Sequence, residues 1–314
     1  MRFPFEIIAV EETDNPAPIQ GVVYVSHPVT NRGIPYARNL ALKYAVGQVV
    51  VFIDDDCSVG EGWLDCLIEP FRDNGIVGVQ GGVTVPAGSN AIGWAESILG
   101  FPGGGISRVF KAKGQNYATE EISTLNCVYR KWVIEKIGGF DENLIYGSED
   151  YLLAKQACRY GRCIFVPNAL VYHKARGNIM KIWSWFVRRG RAEIDLTRMG
   201  GWKRSDVFWL VKSSVLLKLL LLGIFCPIWP NAALVLFLGS WLLYPGLQYY
   251  RSFRVWKWAK LPRSVLFIIP MIKLTMDMAT DCGRLYSLYR IMRKRGEVFP
   301  GNSRSSPAGE RQRL

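Results

Sequence analysis

Residues 49–58, Val49-Val50-Val51-Phe52-Ile53-Asp54-Asp55-Asp56-Cys57-Ser58, constrain the fold more than any other stretch. Five apolar residues run without a break and stop at three consecutive carboxylates. A short continuous apolar run rich in β-branched residues predicts a strand buried on both faces, the usual condition in a parallel sheet. The carboxylates then fall just past its carboxyl end, where open α/β sheets bind ligands. Adjacent carboxylates repel one another, so a cation or a basic group has to balance them. Oxygen ligands of this kind suit Mg2+ or Mn2+, bound jointly with substrate phosphates. A polar turn or helix N-cap also uses Asp, but needs one rather than three. An EF-hand-like calcium loop fails, because Val59 stands where that loop needs glycine.

The chain has 314 residues and a formal net charge of +13, which points to nucleic acid, an anionic membrane surface or a phosphorylated substrate. Its basic residues concentrate beside apolar segments in the C-terminal half, which favours the membrane over nucleic acid, and no nucleic-acid-binding motif is present. The 7 Cys are scattered, form no CxxC pair and are odd in number, so they read as reduced thiols in a cytosolic setting. The N-terminus has no long apolar run of the secretory kind.

Phe5–Val10 and Val22–Val25 read as short strands separated by the acidic turn Glu11-Glu12-Thr13-Asp14. Residues 34–46 read as a helix with Pro35 in its first turn, closed by Gly47. This β-β-α-β order predicts an α/β sandwich. Helices are expected over 62–71, 131–137 and 149–160, the last with Ser148 as N-cap, and strands over 76–85 and 122–129. Residues 100–116 read as a glycine-rich loop, either over a site or plain surface, with neither GxGxxG nor GxxxxGK[ST] present. Glu149 and Asp150 in a first helical turn suit either the helix dipole or general-base work. His173 closes the second of two short strands, 163–167 and 169–173; by itself it reads as structural as readily as a ligand.

Residues 178–199 form a basic amphipathic helix carrying Trp183, Trp185, Phe186, Arg188, Arg189 and Arg191. Beyond it, 208–226 carry no charge except Lys212 and Lys218, and 231–250 carry none. Each is long enough to cross a bilayer. Pro227 and Pro230 mark the turn of a hairpin, and the flanking Arg and Lys with Trp256 and Trp258 place both ends in the cytoplasm. Residues 264–282, interrupted by Pro270, Lys273, Asp277 and Asp281, fit an in-plane amphipathic helix, and 296–314 a disordered tail.

Several of these stretches stand in one family's order: Asn31-Arg32-Gly33 to Ala37-Arg38-Asn39, Phe52 to Asp56, Gly138-Gly139-Phe140-Asp141-Glu142, Glu149-Asp150 and Val171-Tyr172-His173. In this the chain resembles the inverting family 2 glycosyltransferases with a GT-A fold, in membrane-attached form. The resemblance implies an α/β, GT-A-like nucleotide-diphospho-sugar transferase sandwich followed by an α-helical membrane hairpin. The expected organisation is a catalytic domain over 1–177, a basic interface helix over 178–206, a two-helix transmembrane hairpin over 207–250, a basic loop and in-plane helix over 251–295, and the tail. The resemblance starts at what is the family's second strand, so the family's first strand and helix are expected to be absent.

The resemblance also implies roles. Asp56 holds the divalent metal, Mg2+ or Mn2+, with Asp54 near the ribose or the metal and His173 on the metal or diphosphate. Asp150 is the catalytic base with Glu149 in support. Arg188, Arg189 and Arg191 hold the leaving diphosphate, an anion suited to a guanidinium fork. Asp55, Arg38 and Asn39 fall on the nucleotide side, and Glu11, Glu12 or Asp14 replaces the family's base-contacting Asp, Glu11 being first choice. The implied activity moves a sugar from a nucleotide-diphosphate donor to a lipid- or polysaccharide-linked acceptor, as in cell-envelope polysaccharide assembly, in a multi-pass protein of the cell membrane with its catalytic domain in the cytoplasm. The other reading is an N-terminally truncated, inactive relative that scaffolds membrane proteins.

Overall fold

A computed structural model of the chain describes residues 4–225 and 230–297. In chain order the elements are β1 (Ile8–Glu12), β2 (Val23–His27), α1 (Ile34–Tyr44), β3 (Val49–Ile53), β4 (Cys57–Val59), α2 (Trp63–Ile68), β5 (Ile76–Thr84), α3 (Ala91–Ile98), α4 (Gly105–Ala112), β6 (Tyr117–Ala118), β7 (Asn126–Arg130), α5 (Lys131–Ile137), α6 (Glu149–Ala157) and β8 (Arg162–His173). The helices α7 (Ile179–Met199), α8 (Arg204–Ser213), α9 (Val215–Phe225), α10 (Pro230–Trp258) and α11 (Arg263–Glu297) follow.

The main sheet has six strands in the order β3-β7-β5-β8-β4, with β6 on the side of β8. Only the β5–β8 pair is parallel; β3–β7, β5–β7, β4–β8 and β6–β8 are antiparallel. β5, Ile-Val-Gly-Val-Gln-Gly-Gly-Val-Thr, lies between two strands and is buried along its whole length. On one face, Val133, Ile134, Leu153 and Ala157 of α5 and α6 cover Phe52, Val77 and Tyr129. On the other, Leu67 and Phe71 pack on Val79, Val128 and Val166. This is the expected α/β sandwich. Its expected buried strand at 49–53 is instead an edge: β3 is antiparallel to β7, its valines are half-buried and Ile53 is 41% exposed. β1 and β2 form a separate parallel pair.

Three local expectations are corrected. The 100–116 loop contains the helix α4, in which Ile106, Ser107 and Ala112 are buried, Ile106 against α3 and α7. Ser148 does not cap α6 with its side chain; it takes a left-handed φ of 73°. The two strands expected before 173 are one, β8, whose pairing to β5 shifts register between Gly81 and Gly82 near Pro167.

The C-terminal helices differ most from expectation. Among the described residues no helix is long and apolar enough to cross a membrane, which overturns the multi-pass reading. The apolar run 208–226 breaks at Ser213-Ser214 into α8 and α9, of 10 and 11 residues. Eleven helical residues span about 16 Å, roughly half a bilayer core. The break is held by Asp281 of α11, whose Oδ2 accepts hydrogen bonds from the Ser214 hydroxyl at 3.0 Å and the Val215 and Leu216 amides at 2.7 and 3.0 Å. The predicted turn at Pro227 and the tail beyond 297 lie outside the described residues. α11 places Val265, Ile269, Ile272, Met276 and Ala279 in a core shared with Ile182 and Phe186 of α7 and Ala95 and Ile98 of α3. These five residues of 264–282 are thus covered by protein, while Phe267 and Met271 are exposed. α7 and α11 cross at two glycines: a Cβ at Gly190 would meet the Thr280 carbonyl at 2.0 Å, and one at Gly283 the Val187 carbonyl at 2.0 Å.

Candidate functional site

β3 delivers the carboxylates to a tight turn in which the Cys57 amide donates to the Asp54 carbonyl at 3.2 Å. The chain then pairs with the end of β8, Cys57 opposite His173. That register, with the Lys174 amide bonded to the Asp56 carbonyl at 2.9 Å, sets His173 Nε2 3.2 Å from Asp56 Oδ1. His173 is buried and its Nδ1 has no partner among the described residues. Burial lowers its pKa, with Asp56 pulling the other way and Arg176 adding to the drop, so the ring is neutral and able to offer a lone pair. Burial, and then Asp54, push the Cys57 thiol up to about 12.

Arg38 of α1 ties the carboxylate turn to α6. Its Nη1 donates to Glu149 Oε1 at 2.6 Å and its Nη2 lies 3.5 Å from Asp54 Oδ1. Asp54 keeps 37% of its side chain open to the cavity, yet the surrounding protein raises its pKa. Burial is the main cause, Arg38 opposes it, and Asp56, Asp55 and Asp150 add to it. Glu149 is more deeply set; burial and then Asp150 raise its pKa against Arg38, and its Oε2 has no partner among the described residues. Asp150, one residue on, is half-buried, and its Oδ1 accepts from the Tyr151 amide at 2.8 Å. The α6 N-terminus therefore presents one carboxylate locked to an arginine and one open to the cavity.

These groups line a cavity of about 680 Å³ between the sheet's end and α7. Asp54, Glu149, Asp150 and His173 form one side; Arg188 and Arg189 of α7 face it, with Gly100, Phe101 and Gly103 forming part of the wall. The glycine-rich stretch thus borders the site even though it contains a helix. Arg188 has no ion-pair partner among the described residues, and burial followed by Arg176 lowers its pKa. Arg189 reaches Glu193 at 3.4 Å and its guanidinium sits 5.0 Å from the Phe101 ring.

Other predicted site residues are placed elsewhere. Arg191 turns away from the cavity onto the Tyr146 ring, 3.7 Å from its centroid. Asn39 is spent within the protein: it donates to the Phe140 carbonyl at 2.8 Å and Glu142 at 3.0 Å, and accepts from the Phe140 amide at 2.8 Å. That clamp needs glycine at 139, where φ is +88° and a Cβ would fall 2.6 Å from Asn39 Oδ1. Glu11 accepts the Tyr24 hydroxyl outside the cavity, and Glu12 fixes the following loop through the Thr30 and Asn31 amides at 2.8 and 2.7 Å. Asp55 is exposed at the tip of the turn.

Sequence reasoning missed Arg176, which lines the cavity, pairs with the buried Glu96 and lies 4.3 Å over the Trp185 ring. It also missed Asn126, whose amide donates to the Gly82 and Ala169 carbonyls at 2.8 Å each and accepts from the Trp63 indole at 2.9 Å, pinning three strands behind the site. A lone Arg in a loop and a lone Asn in a strand carry no periodic signal.

Among the described residues no group of three or more His, Cys, Asp or Glu side chains is gathered to cage a metal. Asp56 and the neutral, half-satisfied His173 still fit a hard or borderline divalent cation that takes its remaining ligands from substrate phosphates and water.

A probable N-acetylgalactosaminyltransferase 7 of Caenorhabditis elegans is 27% identical over 205 residues, 57% of this chain and 33% of that protein. The glycosyltransferase AglE of Haloferax volcanii is 29% identical over 150 residues, 46% of each chain. The chain thus spans under half the length of these relatives. A solved mannosyltransferase from Pyrobaculum calidifontis, in complex with GDP-Man and Mn2+, aligns over 91% of this chain and 78% of its own at 17% identity and a TM-score of 0.47. Residues 11–137, which include β3, its carboxylate turn and Arg38, match the family described as glycosyl transferase family 2.

Proposed function

We propose that the chain is an inverting glycosyltransferase that moves a sugar from a nucleotide-diphosphate donor to a hydroxyl of a lipid- or polysaccharide-linked acceptor. The observation that carries this reading is the division of labour at the α6 N-terminus. Glu149 is neutralised and held by Arg38, while Asp150 stays open to the cavity that the carboxylate turn and two α7 arginines also border.

In this reading Asp150 takes the proton from the acceptor hydroxyl as that oxygen attacks the anomeric carbon, and the bond from that carbon to the diphosphate oxygen breaks. One displacement from the face opposite the leaving group inverts the configuration. Glu149 and Arg38 fix the turn that aims Asp150. Arg188 and Arg189 meet the departing diphosphate, whose charge a guanidinium fork matches. Asp56 and His173 would hold Mg2+ or Mn2+, which when bound offsets negative charge on the diphosphate. In this reading the Asp54 carboxylate, beside Arg38, accepts a hydrogen bond from a donor hydroxyl.

The test is transfer or slow hydrolysis of a panel of UDP- and GDP-sugars by the full chain, with Mn2+ and then with chelator. Activity that needs the metal supports the reading. A chain that neither binds UDP or GDP nor turns over any donor contradicts it and favours a scaffold.

A further inference from the structure

Beside the main cavity lies a second, of about 180 Å³, between α7, α8 and α11. The two share Phe101, Arg189, Glu193 and Trp209, so the second is a side branch of the first. Lys273, Asp277 and Arg284, with Phe186 and Met276, are among the residues that line only the branch. Its charges are held in place: Glu193 receives Arg284 at 2.7 Å, and Asp277 receives Lys273 and the Tyr244 hydroxyl, the latter at 3.0 Å. The Trp209 indole is 50% exposed, backed by the Arg284 guanidinium at 4.8 Å.

This lining selects a chemistry. Fixed carboxylates keep free lone pairs, and the cations beside them keep free N–H groups, which together match neighbouring hydroxyls. An aromatic plane next to them matches the C–H face of a pyranose. An isoprenoid or acyl chain would strip water from those charges without replacing its hydrogen bonds. Three lining cations meet two lining carboxylates, and Arg284 is also paired with Asp281, so little positive charge is left over for a phosphate. The volume is on the scale of a single sugar ring.

We propose that the side branch binds the sugar next to the accepting one, so that the acceptor is recognised through its saccharide and not through a lipid tail. The inference rests on the glycosyl-transfer reading above.

The experiment uses the full chain with Mn2+ and UDP or GDP. It is titrated calorimetrically with maltotriose, cellotriose, chitotriose and mannotriose, and separately with farnesyl phosphate. Wild type is expected to bind at least one trisaccharide. Trp209→Ala and Lys273→Gln are each expected to weaken that binding by about tenfold more than they weaken nucleotide binding. Lys273→Gln carries the test where Trp209→Ala fails to fold. The inference is overturned when no trisaccharide binds, when the folded variants lose less than tenfold, or when farnesyl phosphate is the ligand whose binding they abolish. Failure to bind either nucleotide would instead sink the glycosyl-transfer reading itself.

Discussion

Arg38 and Glu149 lie 111 residues apart in the chain and share a hydrogen bond of 2.6 Å. Through it the helix preceding the carboxylate strand is locked to the helix that presents Asp150. Truncating Arg38 to Ala leaves Glu149 buried without its cation, which costs about 3 kcal/mol when one partner of a buried pair is removed. Urea unfolding should show that loss. Adding Glu149→Gln should recover at least half of it without restoring transfer. A double variant no more stable than Arg38→Ala would show that the pairing is not what holds the two helices.

Burial raises the pKa of Asp54, Glu149 and Glu96. A carboxyl with a folded pKa above its unfolded one makes a contribution that is fully present below the ordinary carboxylate range. It is lost as pH rises through the raised value. Glu149→Gln removes one such group. Without metal or donor, its melting temperature should therefore gain on wild type as pH climbs from about 4 towards 8. Equal differences at both ends of that range would contradict the burial of Glu149 as a charge.

Asp56→Asn and His173→Gln should each weaken Mn2+-dependent nucleotide binding by tenfold or more while leaving metal-free nucleotide binding nearly intact. Loss of one ligand from a sparse protein set is costly because the phosphates supply the rest. Calorimetry with UDP or GDP, with and without Mn2+, separates the two effects. Equal weakening in both conditions would mean that the pair positions the turn and does not hold the metal.

The α7–α11 crossing gives a prediction independent of chemistry. Gly190→Ala or Gly283→Ala puts a methyl group into a carbonyl 2.0 Å away, so the helices must part. A destabilisation of about 1–3 kcal/mol is expected, as for other overpacked cores. Unchanged unfolding of both variants would show that the crossing is looser than the structure has it.

Much of the catalytic end was legible because local rules and tertiary position agree there. The apolar run 49–53 could only be a strand, and the carboxylates after it could only fall at a sheet's end. Its pairing was not legible: antiparallel partnership with β7 depends on residues 126–130, and nothing in Val-Val-Val-Phe-Ile encodes an edge. Position in a first helical turn does not tell Glu149 from Asp150, and only the resemblance favours Asp150; Arg38 arriving from α1 separates a held carboxylate from an open one. The spanning reading of 208–226 failed because hydropathy counts apolar residues without registering where a helix breaks. Asp281, which looked like an interruption in an amphipathic helix, is the group that breaks the apolar run at Ser214.

The central claim is that Asp150 acts as the base within a nucleotide-sugar site. Its most direct test is sugar transfer by Asp150→Asn on whichever UDP- or GDP-sugar wild type turns over, with donor binding measured alongside by calorimetry. Loss of a positioned general base removes about 10²–10⁴-fold in turnover. The account predicts a fall of that size with donor affinity within a few-fold of wild type. Transfer by Asp150→Asn at the wild-type rate would contradict it.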